Sequence, residues 1–145
     1  MARYRASLDT ERQREELFTY LSDFSPTQEW DPGVVSAERV NGSPVQEGAE
    51  FRLLAEFLGR RTPITYRIIE FDPPHALTFF GENERVTSCD RITFEALAHG
   101  TRITYDAALE LKRVLKVADP LLGLALGRVG DRALSGLRRK LASSA

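Results

Sequence analysis

The sequence predicts an α+β domain in which a curved antiparallel sheet of seven strands wraps around one long C-terminal helix. Two observations lead to this prediction. Seven short runs of apolar or alternating residues are separated by turn-forming Gly, Pro, Asn and His. After the last run, the apolar spacing changes to that of a helix between Asp119 and Leu141. With 145 residues and 42% hydrophobic content, the chain has the size of one domain, 1–145.

The N-terminal part of the chain predicts one strand followed by two short helices. Apolar and polar side chains alternate over residues 3–8, which is typical of a half-buried strand. Thr10 and Gln13 have the spacing of a capping box, which predicts that a short helix begins there. Residues 25–28 repeat this pattern with a proline in the first turn, so we expect a second short helix that carries Trp30.

Six further strands are predicted, and their short connections favour an antiparallel meander over crossover units. They cover residues 34–40, 51–57, 64–71, 77–80, 87–94 and 101–111. Such an open sheet exposes one large apolar face, and the C-terminal helix is the remaining element that can cover it. One helix cannot fill the whole concave side. The remaining space predicts a mostly apolar pocket for a ligand.

Glycines interrupt the C-terminal helix, where each costs roughly 0.5 to 1 kcal/mol relative to alanine. They are Gly123, Gly127, Gly130 and Gly136. The apolar stripe of the helix comprises Leu122, Leu126, Val129, Ala133, Leu137 and Leu141. On a helical wheel Gly123 and Gly130 fall within this stripe, and Gly127 falls at its edge. Two explanations remain open: a neighbouring backbone crosses close to the helix there, or the glycines leave it hollow beside a cavity.

Charge is distributed unevenly along the chain although the net charge is only -1. From Leu111 onwards, eight Lys or Arg stand against two Asp, so the C-terminal helix is basic. A solvated helix face explains such a pattern, and peripheral contact with an anionic membrane or an acidic partner is the alternative. The balanced total argues against nucleic acid as the main partner.

The single cysteine, Cys89, cannot form an internal disulfide, so we expect a reducing, cytoplasmic compartment. The N-terminus shows no apolar signal segment, and the run 117–126 is too short to span a bilayer. The two histidines, His75 and His99, fall on predicted turns, and no His or Cys pair has metal-ligand spacing. There is no phosphate-binding loop. We therefore expect no metal and no cofactor.

Polar side chains on apolar strands are the candidates for chemistry inside the pocket. If Ile92 and Phe94 face the core, the two-residue period of a strand puts Ser88 and Asp90 on the same face. Asp90 is the one candidate for a catalytic role. It is either a strand-end residue paired with an arginine or a buried acid of raised pKa inside the cavity.

Aromatic residues are predicted around the same space. Tyr66 and Tyr105 share strand faces with apolar neighbours, so they are either core residues whose hydroxyls reach the rim or part of the pocket lining. Trp30, the only tryptophan, either packs at an edge or forms part of the pocket wall. The predicted ligand-binding residues are Trp30, Phe51, Leu53, Tyr66, Phe79, Tyr105, Leu122, Gly123, Leu126 and Gly130.

Several short motifs carry a resemblance that covers essentially the whole chain. They are residues 18 and 21–24, 29–32, Gly48, 59–60, the 70–74 turn and 100–105. With these motifs the chain resembles the helix-grip (SRPBCC) superfamily, which includes START domains, the birch-pollen allergen family and bacterial polyketide cyclase/dehydrase-like proteins. The resemblance implies the helix-grip fold. It specifies chemistry poorly, because the superfamily hosts lipid carriers, cyclases and proteins with no known ligand.

Three functional hypotheses follow. The first is a non-catalytic binding protein or carrier for a lipid, a polyketide or another hydrophobic small molecule, which requires only the cavity. The second is a polyketide cyclase or dehydratase, in which Asp90 and the tyrosines direct proton transfers. The third is an interaction protein whose basic helix face contacts a membrane or a partner. We favour the first, because a cyclase needs more convergent polar groups than the sequence indicates.

Overall fold

The computed structural model describes residues 2–41, 45–57, 59–112 and 119–143. Its elements in chain order are β1 (Ala2–Thr10), α1 (Arg14–Ser22), a 3-10 helix (Thr27–Glu29), β2 (Val34–Asn41), β3 (Glu50–Phe57), β4 (Arg60–Asp72), β5 (Ala76–Glu82), β6 (Val86–Leu97), β7 (Gly100–Leu111) and α2 (Asp119–Ser143). The seven strands form one antiparallel sheet against which α2 packs. The predicted helix-grip fold is confirmed.

The strand order explains where the two short helices must lie. It runs β1-β7-β6-β5-β4-β3-β2, so the first two strands of the chain occupy opposite edges of the sheet. The segment 11–33 therefore has to cross from one edge to the other, and α1 and the 3-10 helix are what it forms on the way. The strands from β2 to β7 pair with their successors, as short hairpin connections require.

The two predicted capping boxes are wrong. Thr10 is the last residue of β1 and pairs with Thr101, so its backbone is held in the sheet and cannot begin a helix. Helix α1 instead begins at Arg14, and Gln13 precedes it without a side-chain capping bond. The 3-10 helix also lacks a side-chain cap, because the hydroxyl of Ser25 bonds to Asp23 instead.

One end of the space between the sheet and α2 is filled by a close-packed core, which we call the filled end. Its members are buried side chains from α1, the central strands and the last turns of α2: Leu17, Phe18, Leu77, Ile92, Phe94, Ile103 and Leu141. The ring of Phe18 packs against that of Phe94 with centroids 5.3 Å apart. Burial of such side chains contributes roughly 1.5 to 3 kcal/mol each, so this end anchors the fold.

The apolar stripe of α2 is buried unevenly along its length. Leu137 and Leu141 are buried in the main core cluster, and Leu126 is buried in a smaller cluster beside Ala2 of β1. Val129 and Ala133, which were expected to be buried, are only half-buried. Both line a cavity, and Ala133 also packs against the main core cluster.

Candidate functional site

A cavity of about 400 Å³ lies between α2, the 3-10 helix and the inner face of the sheet. Its volume falls within the roughly 300 to 1,000 Å³ that is usual for small-molecule sites. Most of its wall is apolar and comes from three sources, namely the inner face of β3 and β4, the inner face of β7, and the cavity-facing side of α2. These side chains include Leu53, Ala55, Ile64, Ala107, Leu109, Leu126, Val129, Ala133 and Leu137.

Asp90 of β6 lies at the centre of a polar cluster on this otherwise apolar wall. Only 7% of the residue is exposed, and it is held by two neutral hydroxyl donors. Ser88 Oγ donates to Asp90 Oδ1 at 3.0 Å, and Tyr105 Oη donates to Asp90 Oδ2 at 3.0 Å. Burial raises the pKa of Asp90 to about 6, against the lowering effect of these two hydrogen bonds. The expectation of an exposed strand-end residue paired with an arginine is wrong.

Tyr66 of β4 completes the cluster, and a glycine makes its position possible. Tyr66, Gly81 and Ser88 are cross-strand partners on three adjacent strands. A Cβ at Gly81 would lie 2.6 Å from the Tyr66 ring, so only glycine lets that ring lie across β5 towards Ser88. Burial, together with the charge of Asp90, raises the pKa of Tyr66. The phenol therefore stays protonated and remains a hydrogen-bond donor.

A second carboxylate in the wall was missed by the sequence analysis. Asp31 follows Trp30 directly, and its Oδ1 accepts the Gly33 N–H at 2.8 Å. Burial raises the pKa of Asp31 to about 6, and its charge also raises the pKa of Asp90. The run from 31 to 33 reads as a helix breaker, and this pattern offers no reason to place its first residue, Asp31, in the cavity wall. The available signal was an acid directly beside the predicted wall residue Trp30.

The glycines of α2 have three different environments. A Cβ at Gly136 would overlap the carbonyl of Trp30, so this glycine permits a close backbone crossing. A Cβ at Gly130 would lie 2.5 Å from the ring of Tyr4, which lines the cavity. Among the described residues, a Cβ at Gly123 or Gly127 would meet no atom within 4 Å beyond its chain neighbours and the helix's own backbone. The backbone-crossing explanation therefore applies to Gly136, whereas Gly130 lines the cavity but lies against the ring of Tyr4 rather than beside a hollow.

The ring of Tyr4 is fixed between β1 and α2. Its hydroxyl donates to Asp131 Oδ1 at 2.7 Å, and burial together with this carboxylate raises the pKa of Tyr4 to about 12. Because Gly130 has no side chain, the ring fits against the helix backbone beside that bond. The Tyr4 ring thus forms part of the cavity wall, and its bond to Asp131 and its contact with Gly130 fix its position.

Seven of the residues singled out from the sequence line the cavity. They are Trp30, Leu53, Tyr66, Asp90, Tyr105, Leu126 and Gly130. Their part in ligand binding stays a prediction. Leu122 lies outside the residues whose side chains the structure describes.

Three of the predicted ligand-binding residues that the structure describes do not line the cavity. Phe51 and Phe79 are fully buried behind Phe24, which lines the cavity in their place and stacks on Phe79 with centroids 3.5 Å apart. Gly123 lies before Leu126, the first described α2 residue of the wall. Nothing in the sequence indicates that Phe24 would cover both phenylalanines.

Charged and polar side chains at the ends of two hairpins belong to the same wall. Arg60 begins β4, and Asn83 and Arg85 lie in the turn between β5 and β6. Asn83 Nδ2 donates to the Pro63 carbonyl at 2.9 Å, which ties this turn to β4. Arg60 and Arg85 are both exposed, so this end of the cavity is polar and reaches solvent.

Comparison with known proteins places the chain in a family. The model of the family described as "Polyketide cyclase / dehydrase and lipid transport" matches residues 1–142. The chain belongs to this family. A search of curated proteins found no match. Among solved structures, a START superfamily protein from Mycobacterium smegmatis is similar over 100% of both chains, with a TM-score of 0.85 and 14% identity.

Two further structures resemble this family member. A protein from Thermus thermophilus is 19% identical, with 99% of each chain covered and a TM-score of 0.82. The Zhui aromatase/cyclase from a Streptomyces species is 11% identical, with a TM-score of 0.80, and the match covers 97% of this chain and 93% of that one. At these identities the likeness shows the fold, which the family shares across different activities.

Two other kinds of site were sought in the described ranges. Across these ranges, no three His, Cys, Asp or Glu side chains are grouped so that they could hold a metal ion. In the same part of the chain, no helix has the length and apolar character to cross a membrane.

Proposed function

We propose that the protein binds and carries a hydrophobic small molecule, such as a lipid or a polyketide, in the cavity beneath α2. The observation that carries this proposal is a mostly apolar cavity of about 400 Å³ whose inner wall holds a cluster of hydrogen-bonded polar groups around the buried Asp90. An engineered cavity of about 150 Å³ in another protein binds benzene, so this one has room for about two or three fused rings. The family description, which includes lipid transport, agrees with this proposal.

A second candidate function is catalysis of the cyclase or dehydratase type. The observation that favours it is the bond from Tyr105 to Asp90, because a buried acid with a pKa of about 6 can exchange protons near neutral pH. Carriage requires only the cavity, so it remains our first proposal. A carrier releases its ligand unchanged, whereas an enzyme returns a product of different mass.

Two parts of the proposal concern surroundings rather than the cavity. We propose a cytoplasmic location, because Cys89 has no cysteine with which to pair in the sequence. The exposed arginines of α2 suit peripheral contact with an anionic membrane, where a carrier would exchange its ligand. These arginines are Arg128, Arg132, Arg138 and Arg139, and Leu124 on the same helix is 63% exposed.

The proposed function can be tested with a larger side chain that fills part of the cavity from the α2 side. Ala133 lines it, so Ala133→Leu should lower the affinity for a naphthalene-type fluorescent probe at least tenfold. The matched control is Ala142→Leu, at an exposed position of the same helix. Trp30 is the only tryptophan and lies in the wall, so its emission reports probe binding directly. Equal probe affinity in both variants and the parent would contradict the proposal.

A further inference from the structure

Where the structure describes its wall, the inner part of the cavity carries negative charges without nearby positive ones, and this imbalance indicates the kind of ligand that the cavity accepts. Asp90 is buried, and both of its recorded donors, Ser88 and Tyr105, are neutral hydroxyls. A buried carboxylate ordinarily pairs with a cation, because an isolated charge is poorly solvated in an apolar environment. Asp31 adds a second carboxylate to the same wall, and a third, Glu56, is exposed at the hairpin end.

No cation of the protein compensates the first two of these acids from the part of the wall that the structure describes. The cations there are Arg60 and Arg85, and both are exposed at the hairpin end. Arg85 precedes Asp90 by five positions along β6, which corresponds to roughly 16 Å of extended strand. The described α2 residues of the wall are all uncharged, from Leu126 to Leu137. The inner part of the cavity is therefore negative.

Five aromatic residues of the described part of the chain also belong to the wall of the cavity. Tyr4, Phe24, Trp30, Tyr66 and Tyr105 all line the cavity. The faces of aromatic rings attract cations, and groups of such rings recognise ammonium ligands in other proteins. Two carboxylates in the inner wall and several aromatic rings around one cavity form a combination that suits a positively charged group on an otherwise apolar molecule.

We propose that the ligand of this cavity is an apolar amine, whose protonated nitrogen lies against Asp90 and within the field of Asp31 while its hydrocarbon part fills the space beneath α2. This inference rests on the proposed binding function and narrows it to one class of ligand. An apolar acid is disfavoured because its carboxylate would meet Asp90 and Asp31. A neutral alcohol can donate a hydrogen bond to Asp90 but leaves its negative charge uncompensated.

Three probes with one ring system and different head groups test this inference. Naphthylethylamine, naphthylethanol and naphthylacetate are titrated into the full chain, with the emission of Trp30 and calorimetry as readouts. We expect the amine to bind at least tenfold more tightly than the alcohol, and the acid to bind most weakly. The preference should persist at raised salt, because buried charges are screened much less than exposed ones.

The decisive variant is Asp90→Asn, which keeps the size of the side chain and removes its charge. It should remove most of the preference for the amine and leave the affinity for the alcohol within a few fold. The control, Asp106→Asn, removes a carboxylate from the outer face of β7, next to Tyr105, and should leave all three affinities unchanged.

The possible outcomes separate this inference from the proposed function. If the alcohol binds as tightly as the amine in the parent, or if Asp90→Asn keeps the full preference for the amine, the inference is overturned while the cavity remains a binding site. If none of the three probes binds the parent, both the inference and the proposed function are overturned.

Discussion

Two ends of one interior, the filled end and the cavity end, are built from the same elements but differ in content. Strand β6 crosses both, presenting Ile92 and Phe94 to the filled end and Ser88 and Asp90 to the cavity. The alternation along the strand continues without interruption, and only the residue type changes. The comparison teaches that a strand period shows which side chains point inward but not whether the space they enter is packed.

Helix α2 shows the same contrast through its glycines. Towards the filled end, Gly136 lies against the backbone of Trp30, where no side chain could fit. Closer to the start of α2, Gly130 lies against a single aromatic ring, and among the described residues no atom beyond the chain neighbours and the helix's own backbone lies within 4 Å of a Cβ at Gly123. The tolerance of α2 to added volume should therefore increase from its last turns to its first. Alanine substitutions at Gly136, Gly130 and Gly123 can test this gradient.

The largest effect is expected for Gly136→Ala. The added methyl would overlap the Trp30 carbonyl, which belongs to the backbone and cannot move alone. Overpacking typically costs about 1 to 3 kcal/mol and occasionally more, and we expect the upper part of that range here. Urea unfolding measures the change in the free energy of unfolding. A decrease in the free energy of unfolding of less than about 1 kcal/mol would contradict the close backbone crossing between Gly136 and Trp30.

The next effect is expected for Asp90→Asn, and its sign depends on pH. The pKa of Asp90 is raised by burial to about 6, so the folded state holds a proton more tightly than the unfolded chain does. The contribution of this group is favourable below the unfolded pKa of about 4 and is lost as the pH rises through about 6. The shift of roughly 2 units corresponds to at most about 3 kcal/mol.

Asparagine cannot ionise, so Asp90→Asn should be more stable than the parent at pH 8 and should lose that advantage towards pH 4. Thermal unfolding between these two pH values measures the difference. Asp31 titrates in the same direction and stays in both proteins, so only the difference between them isolates Asp90. A variant that is less stable than the parent at pH 8 would show that this carboxylate is better satisfied than its two neutral donors indicate.

The smallest effects are expected at the cavity end of α2. Gly130→Ala should destabilise by about 1 to 2 kcal/mol, because the methyl meets the Tyr4 ring, which its bond to Asp131 holds in place. Differential unfolding in urea measures this loss. Truncating the ring with Tyr4→Ala in the same background should remove the conflict and recover the helix-forming advantage of alanine.

Gly123→Ala is the matched control and should have the opposite sign. In the part of the chain that the structure describes, no atom beyond the chain neighbours and the helix's own backbone lies within 4 Å of the added methyl, so the intrinsic preference of alanine should stabilise the helix by up to about 1 kcal/mol. If both alanine variants shift the melting temperature in the same direction, the gradient along α2 that the comparison describes does not exist.

The fold could be predicted from local patterns because they act at short range. Strand alternation, turn residues and the change to helical spacing at Asp119 identify the elements, and short connections determine the order of β2 to β7. The capping boxes failed because Thr10 had a stronger, long-range role as the partner of Thr101. Local capping patterns do not show whether the same residue is already committed to a strand.

The site was predicted less completely because its geometry depends on residues far apart in the chain. The period of β6 placed Asp90 inward, but its bond to Tyr105 comes from the neighbouring strand. A glycine within a strand such as Gly81 reads as destabilising in the sequence, and only the structure shows that the Tyr66 ring occupies the space a side chain would need. Asp31 and Phe24 enter the wall because the segment from β1 to β2 crosses the sheet, which no sequence period indicates.

The pairing of β1 with β7 has a consequence for the order in which the protein can form during synthesis. Ser7 and Thr104, whose hydroxyls bond across this pair, are 97 residues apart. At synthesis rates of about 5 to 20 residues per second, the first strand waits roughly 5 to 20 seconds for its partner. During that time the partly formed sheet has an open edge and an uncovered inner face, since α2 follows β7 in the chain. The interior between the sheet and α2 thus forms only after β7 and α2 have joined β1.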